Sequence, residues 1–335
     1  MDPRLAHLLP RGPARPADRR DLELPRRDRH RKPPLMAREL PYLADVEHRF
    51  LDVGGLRTHV ALAGDGEPLV LLHGWPQHWW QWRHMIGPLA QRFRVICPDL
   101  RGLGWTDAPK TGYRPGVMAD DIAGLLDRLG VDEFRAIGHD WGGLTGYLLA
   151  LRFPERMRHY IAINTASPFL RPTPRVLADG VRLWHIAANA AGPLLAARAI
   201  PEWALRNWTY RSAAMTPEDR AIFLAQFEEP ARVDATVGYY RNLLTHEIPL
   251  LLAGQYRWSR LRVPTLILVG DRDPLLPVSA TREFGSSAAD VRVEVFEDVG
   301  HFPATEQPER VVDLAMEFFG YQKSLSNPSK PPKFP

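Results

Sequence analysis

Apolar positions fall in two alternating patterns along much of the chain. Residues 46–53 and 56–63 read as two strands joined by Gly54-Gly55, a hairpin signal. Residues 68–72 form a continuous apolar run that ends at His73-Gly74-Trp75-Pro76, which predicts a buried strand and a tight loop. Residues 79–93 predict a helix and 94–97 another buried strand. Residues 118–129 are apolar at helical spacing, with Gly130 as the stop. An apolar run at 134–137 then leads into Gly138-His139-Asp140-Trp141-Gly142-Gly143, and a helical pattern at 144–151 leads out. A further strand is expected at 160–163.

The alternation breaks at about residue 167. From there to 256 the pattern is helical with no clear strand, and Thr216-Pro217-Glu218-Asp219 supplies an N-cap, a first-turn proline and an acid. Strand character returns at 264–269 and 291–296, with helices expected at 279–284 and 309–319. Alternating strands and helices predict an α/β fold with a mostly parallel, doubly wound sheet. Residues 37–166 and 257–320 would form its body and 167–256 a helical insertion over the carboxyl ends of the strands.

Composition changes this picture at the ends. Residues 1–36 hold ten Arg/Lys against five Asp/Glu, with seven prolines and no Ser or Thr. They are expected to be a disordered basic extension, with Met36 as the expected start. Residues 321–335 hold three Lys and no acid, and are expected to be a loose tail. The net charge of +4 therefore sits in the ends, the body between them is net negative, and nucleic-acid binding is not expected. No run is apolar for long enough to span a membrane. A single cysteine, Cys97, allows no intrachain disulfide and fits a reducing compartment, so a cytoplasmic location is expected. Oligomeric state has no signal in the sequence.

The candidate chemistry centres on residues 138–142. Gly-x-nucleophile-x-Gly is the pattern of a strained turn that lifts its central residue out of a strand-to-helix junction. Small residues are needed on either side, and Gly138 and Gly142 meet that need. The central residue is Asp140. A carboxylate that attacked an acyl carbon would give a reactive anhydride. One that attacks an sp3 carbon gives an alkyl ester, which water can cleave at its carbonyl. Asp140 thus points to epoxide opening or halide displacement, against the plainer reading of a Gly-rich turn with a surface Asp.

Two later stretches complete the set. Gly270-Asp271-Arg272-Asp273 and Gly300-His301-Phe302 each follow a predicted strand. His301 would act as general base on a water, with Asp273 holding its imidazole; Asp271 is the alternative acid. Backbone N–H groups of Trp141 and of Trp75 would form an oxyanion hole.

With these residues in view, 45–320 resembles the α/β-hydrolase superfamily and, within it, the epoxide hydrolase branch and its haloalkane dehalogenase relatives. His73-Gly74-Trp75-Pro76, the Asp140-Trp141 turn, Gly270-x-x-Asp273 and Gly300-His301 carry the resemblance. It implies a helical cap over 167–256, no metal or organic cofactor, and water with a small apolar epoxide as substrates. It also implies two cap tyrosines that hydrogen-bond the epoxide oxygen. Tyr239-Tyr240-Arg241-Asn242 matches the second, at Tyr240. The first falls near Leu183-Trp184-His185-Ile186, which holds no tyrosine, so either His185 or Trp184 is the substitute donor or the site has none. The alternatives are a haloalkane dehalogenase with the same triad, disfavoured by Trp75 where those relatives commonly carry Asn, and a hydrolase-fold protein that binds a ligand without turnover.

Overall fold

The computed structural model describes residues 38–169, 184–197, 199–256, 259–278 and 290–321. The expected basic extension, most of the tail, the helix expected at 279–284 and the first part of the helical insertion lie outside these residues. The chain divides into two units, Met1–Tyr42 and Leu43–Pro335. Of the first, residues 38–42 are described and form no helix or strand. The second contains everything below.

Its centre is an eight-stranded sheet. The strands are β1 (Glu47–Val53), β2 (Leu56–Ala63), β3 (Glu67–Leu72), β4 (Phe93–Pro98), β5 (Phe134–His139), β6 (Met157–Ile163), β7 (Thr265–Gly270) and β8 (Val291–Phe296), in the order β1-β2-β4-β3-β5-β6-β7-β8. The β1–β2 hairpin and the β2–β4 pair are antiparallel, and every other pair is parallel. Continuous apolar runs suit such strands because both faces are covered. Along β3, Val70 and Leu72 join one buried cluster while Leu69 and Leu71 join the other.

Helices α1 (Arg83–Ala90), α2 (Pro115–Arg128) and α3 (Asp140–Arg152) follow β3, β4 and β5. The expected helix over 79–93 is shorter than its apolar pattern. A 3-10 turn, Trp79–Trp82, precedes α1, and Phe93 opens β4 opposite Glu67. The chain reverses between them through an Arg92 N–H to Leu89 carbonyl bond, with no glycine or proline to mark it.

Between β6 and β7 the described residues are helical: α4 (Trp184–Ala191), α5 (Ala199–Asn207), α6 (Pro217–Leu224) and α7 (Pro230–Asn242), with shorter turns between. Thr216 caps α6 as expected, its hydroxyl accepting from the Asp219 N–H at 3.1 Å. This insertion is tied to the body by polar bonds at several points. Arg83 and Trp80 both donate to Asp219, at 2.7 and 3.0 Å, Gln226 bonds the Pro76 carbonyl and the Gly104 N–H, and Arg232 donates to the Thr106 carbonyl. After β8, helix α8 (Pro308–Phe318) packs in the same cluster as α1. Among the described residues no helix is long and apolar enough to cross a membrane.

Candidate active site

Four strands of the parallel part of the sheet deliver the candidate residues at their carboxyl ends, where doubly wound sheets place their ligands. β3 runs into His73–Trp75, β5 into Asp140, β7 into Asp273 and β8 into His301.

Asp140 sits at the junction of β5 and α3 with φ at 50°, a left-handed conformation that non-glycine residues seldom adopt. The turn tolerates it because its neighbours lack side chains. A Cβ on Gly142 would lie 2.2 Å from the Leu72 carbonyl oxygen, and one on Gly138 would lie 2.5 Å from that of Gly142. Gly74 is small for the same reason, since its Cβ would meet the Asp140 side chain at 2.5 Å. The turn, the β3 loop and the carboxylate thus pack at backbone distance.

The Trp75 N–H donates to Asp140 Oδ2 at 2.9 Å, and the Trp141 N–H also donates to this carboxylate. Burial dominates its acidity. Removed from water, Asp140 is pushed up to about 6, although the His301 charge and these two N–H donors pull the other way.

His301 is buried, and its Nδ1 lies 3.0 Å from Asp273 Oδ2. Burial alone would pull its imidazole down. The adjacent Asp273 carboxylate, aided by Asp140, outweighs this and holds it above the ordinary histidine value. Nε2 is buried and pairs with no described protein group. Asp273, buried in turn, takes the Leu275 N–H on its other oxygen at 2.8 Å. Asp271, the alternative acid, instead pairs at the surface with Arg272 at 3.5 Å.

Above the carboxylate lies an aromatic wall. Tyr240 is buried on α7, its ring edge-on to Trp75 at 5.3 Å and to Trp141 at 5.7 Å. Its oxygen accepts from the Trp141 indole, and burial, then the Asp140 charge, pushes the phenol well above its usual range. The neighbouring Tyr239 also packs edge-on to Trp141, at 4.9 Å, but its hydroxyl donates to the Arg101 carbonyl at 2.7 Å. His185, buried on α4, meets Tyr240 edge-on at 5.8 Å and Trp208 at 4.8 Å. Trp184 is 49% exposed and rests on Trp203, which places it on the outer side of this wall.

Sequence reasoning missed the groups that hold these loops together. Asn164, at the end of β6, donates to the Gly300 carbonyl at 2.8 Å and accepts the Gly270 N–H at 2.9 Å, so it joins the Asp273 and His301 loops. His139 donates through Nε2 to the His301 carbonyl at 2.7 Å; burial and the His301 charge keep its pKa well down, so it is a neutral structural histidine. Partners more than a hundred residues away leave no local signal at either position.

Comparisons with known proteins bear on the fold and the family. The family described as the alpha/beta hydrolase fold matches residues 67–308. A soluble epoxide hydrolase of Corynebacterium sp. (strain C12) is 29% identical over 290 residues, covering 82% of this chain and 98% of that protein. Epoxide hydrolase 4 of Mus musculus is 30% identical over 288 residues, covering 79% and 76%. The solved structure of epoxide hydrolase CorEH without ligand superposes with a TM-score of 0.72 at 28% identity, over 82% of this chain and 98% of that one. Family match, sheet order and relatives converge: this chain belongs to the α/β-hydrolase fold family, on its epoxide hydrolase branch, and is a hydrolase.

Proposed function

We propose that the protein hydrolyses small apolar epoxides to vicinal diols through an ester on Asp140. The observation that carries this reading is a buried carboxylate at the tip of the turn, held on one oxygen by the Trp75 N–H at 2.9 Å, beside an Asp273–His301 pair at 3.0 Å. With Oδ2 so held, Oδ1 attacks an epoxide carbon and the C–O bond of the ring breaks. Charge then builds on an oxygen that cannot leave. Tyr240 donates its proton to that oxygen, and His185 is the partner donor in place of a second tyrosine.

Water supplies the second step. His301 Nε2 takes a proton from it as the oxygen attacks the ester carbonyl of Asp140, and Asp273 stabilises the imidazolium that forms. The negative charge on the tetrahedral oxygen falls to the N–H groups of Trp75 and Trp141, the donors that already hold the resting carboxylate. Collapse breaks the ester bond: the imidazolium returns its proton to the leaving oxygen to give the diol, and the second proton of the water reprotonates Tyr240 as Asp140 is restored as a carboxylate. In this reading residues 167–256 act as a cap over a body formed by 37–166 and 257–320. Trp75, Trp141, Tyr240 and Trp208 give the site an apolar lining that suits an apolar substrate. A cytoplasmic setting is part of the same reading, supported by the one cysteine, Cys97, buried as a free thiol.

The test is His301→Gln with a reactive epoxide. Attack by Asp140 does not need the base, so the alkyl-enzyme should accumulate, and mass spectrometry should find the adduct on the peptide that holds Asp140. A wild-type single turnover in 18O-water should label the protein rather than the first diol. A variant that turns over without an adduct removes His301 from the mechanism. Halide release from haloalkanes without diol from epoxides would replace the substrate class.

A further inference from the structure

Glu306 carries a role that the proposed chemistry leaves unassigned. It ends a short helix, Pro303–Glu306, just after His301, and only 6% of its surface is exposed. Its carboxylate collects four backbone amides. Oε1 accepts from Gly300 at 3.1 Å and Phe302 at 3.2 Å, the residues on either side of His301. Oε2 accepts from Tyr210 at 3.0 Å and Arg211 at 2.8 Å, and shares the Gly300 N–H at 3.1 Å. Tyr210 and Arg211 belong to the helical insertion, in the segment that follows α5.

The His301 amide itself donates to the Trp208 carbonyl at 2.7 Å, so three consecutive amides at 300–302 are all held by Glu306 or the 208–211 segment. The two backbones also touch. A Cβ on Gly300 would lie 2.3 Å from the Trp208 carbonyl oxygen and 2.7 Å from the Tyr210 nitrogen.

We propose that Glu306 is a positioning residue for the hydrolytic step: one carboxylate fixes the loop of the base His301 and locks it to the 208–211 segment of the insertion. This rests on the reading of His301 as the base. Only an acceptor-only side chain can satisfy donors on both oxygens, because an amide would turn its own N–H groups toward one pair. Tyr240 and His185 stand on α7 and α4. The insertion keeps its other ties to the body through Asp219, Gln226 and Arg232, so alkylation does not depend on Glu306 in the same way. Its negative charge also helps hold the imidazole up against burial, after the larger effects of Asp273 and Asp140.

Transient kinetics of Glu306→Gln with an epoxide substrate separates these effects. Formation of the alkyl-enzyme should stay within about threefold of wild type, whereas its hydrolysis should slow by about 10- to 100-fold as Nε2 loses its alignment. Hydrolysis needs neutral His301, so its rate rises with pH through the histidine pKa. With one negative charge gone, that limb should move to lower pH. Glu306→Asp keeps the charge and shortens the reach, so hydrolysis should slow with the limb unmoved. Should Glu306→Gln not fold, the aspartate variant still decides the matter by the ratio of its two steps. Equal loss in both steps, wild-type hydrolysis, or an unmoved limb in a folded glutamine variant would overturn the proposal. A wild-type protein that forms no alkyl-enzyme defeats the underlying reading instead, and is told apart because the failure then precedes any mutation.

Discussion

Replacing Tyr240 with phenylalanine removes one oxygen from the wall above Asp140 and leaves the ring in place. That oxygen accepts from the Trp141 indole, which leaves its own proton to donate toward the substrate. The group is buried, so water cannot stand in for it. Losing one donor to a developing oxyanion costs about 100- to 1,000-fold, or roughly 2.7–4 kcal/mol of barrier. His185 stands edge-on to the same ring at 5.8 Å, and in the proposed mechanism it shares the load, which places the expected loss near the lower figure, about 100-fold, in the alkylation step. In the proposed mechanism hydrolysis of the ester draws on the Trp75 and Trp141 amides, so it should change by less than about threefold. The variant also strands the Trp141 indole, at a cost of about 1–3 kcal/mol in stability, so its melting temperature should fall modestly while the protein stays folded. Stopped-flow tryptophan fluorescence follows both steps, since Trp75 and Trp141 flank the reacting carboxylate. Alkylation at the wild-type rate in Tyr240→Phe would refute the reasoning and return Tyr240 to the role of a packing ring. His185→Ala should slow the same step by less.

On the proposed mechanism, the raised pKa of Asp140, about 6, has two consequences of opposite sign. Alkylation requires the ionised form, so its rate should fall as pH drops through about 6, with about a tenth remaining one unit below; a rate flat from pH 8 to 5 contradicts the assignment. Stability runs the other way. The folded value lies above the unfolded one, so stability is fully present below the unfolded pKa and is lost as pH rises through about 6. Asp140→Asn should therefore melt higher than wild type at pH 8, with the gap closing below pH 6, and equal gaps at both pH values would argue against it. Gly142→Ala should destabilise the fold by several kcal/mol or prevent it, because its Cβ would fall 2.2 Å from the Leu72 carbonyl oxygen; a normal denaturation midpoint would show that the β3 loop can move away.

The parts of this molecule that are local in sequence were readable there. Strands such as β3 and β7 are continuous apolar runs, and the turn at Asp140 is bracketed by glycines whose spacing has one economical explanation. Phe93 shows the limit. It continues the helical apolar pattern of 79–90 and also begins β4, and only its pairing with Glu67 tells the two apart. Tyr239 and Tyr240 show another. Adjacent residues on a helix point about 100° apart, and nothing local reveals that one hydroxyl bonds the Arg101 carbonyl and the other the Trp141 indole. The polar braces Asn164, His139 and Glu306 were illegible because each bonds to loops far along the chain, and a sequence shows such residues only as scattered polar letters.

The left-handed backbone at position 140 has an evolutionary side. The left-handed φ is accommodated by the missing side chains of Gly138 and Gly142, while the side chain at the tip is held by the Trp75 and Trp141 N–H groups. Such a turn is a socket that accepts interchangeable tips. A lineage with this backbone can exchange carboxylate for hydroxyl, and with it one class of scissile bond for another, by a single codon change that leaves the scaffold untouched. Neighbouring chemistries are then separated by a step of mutation rather than by a refolding of the chain.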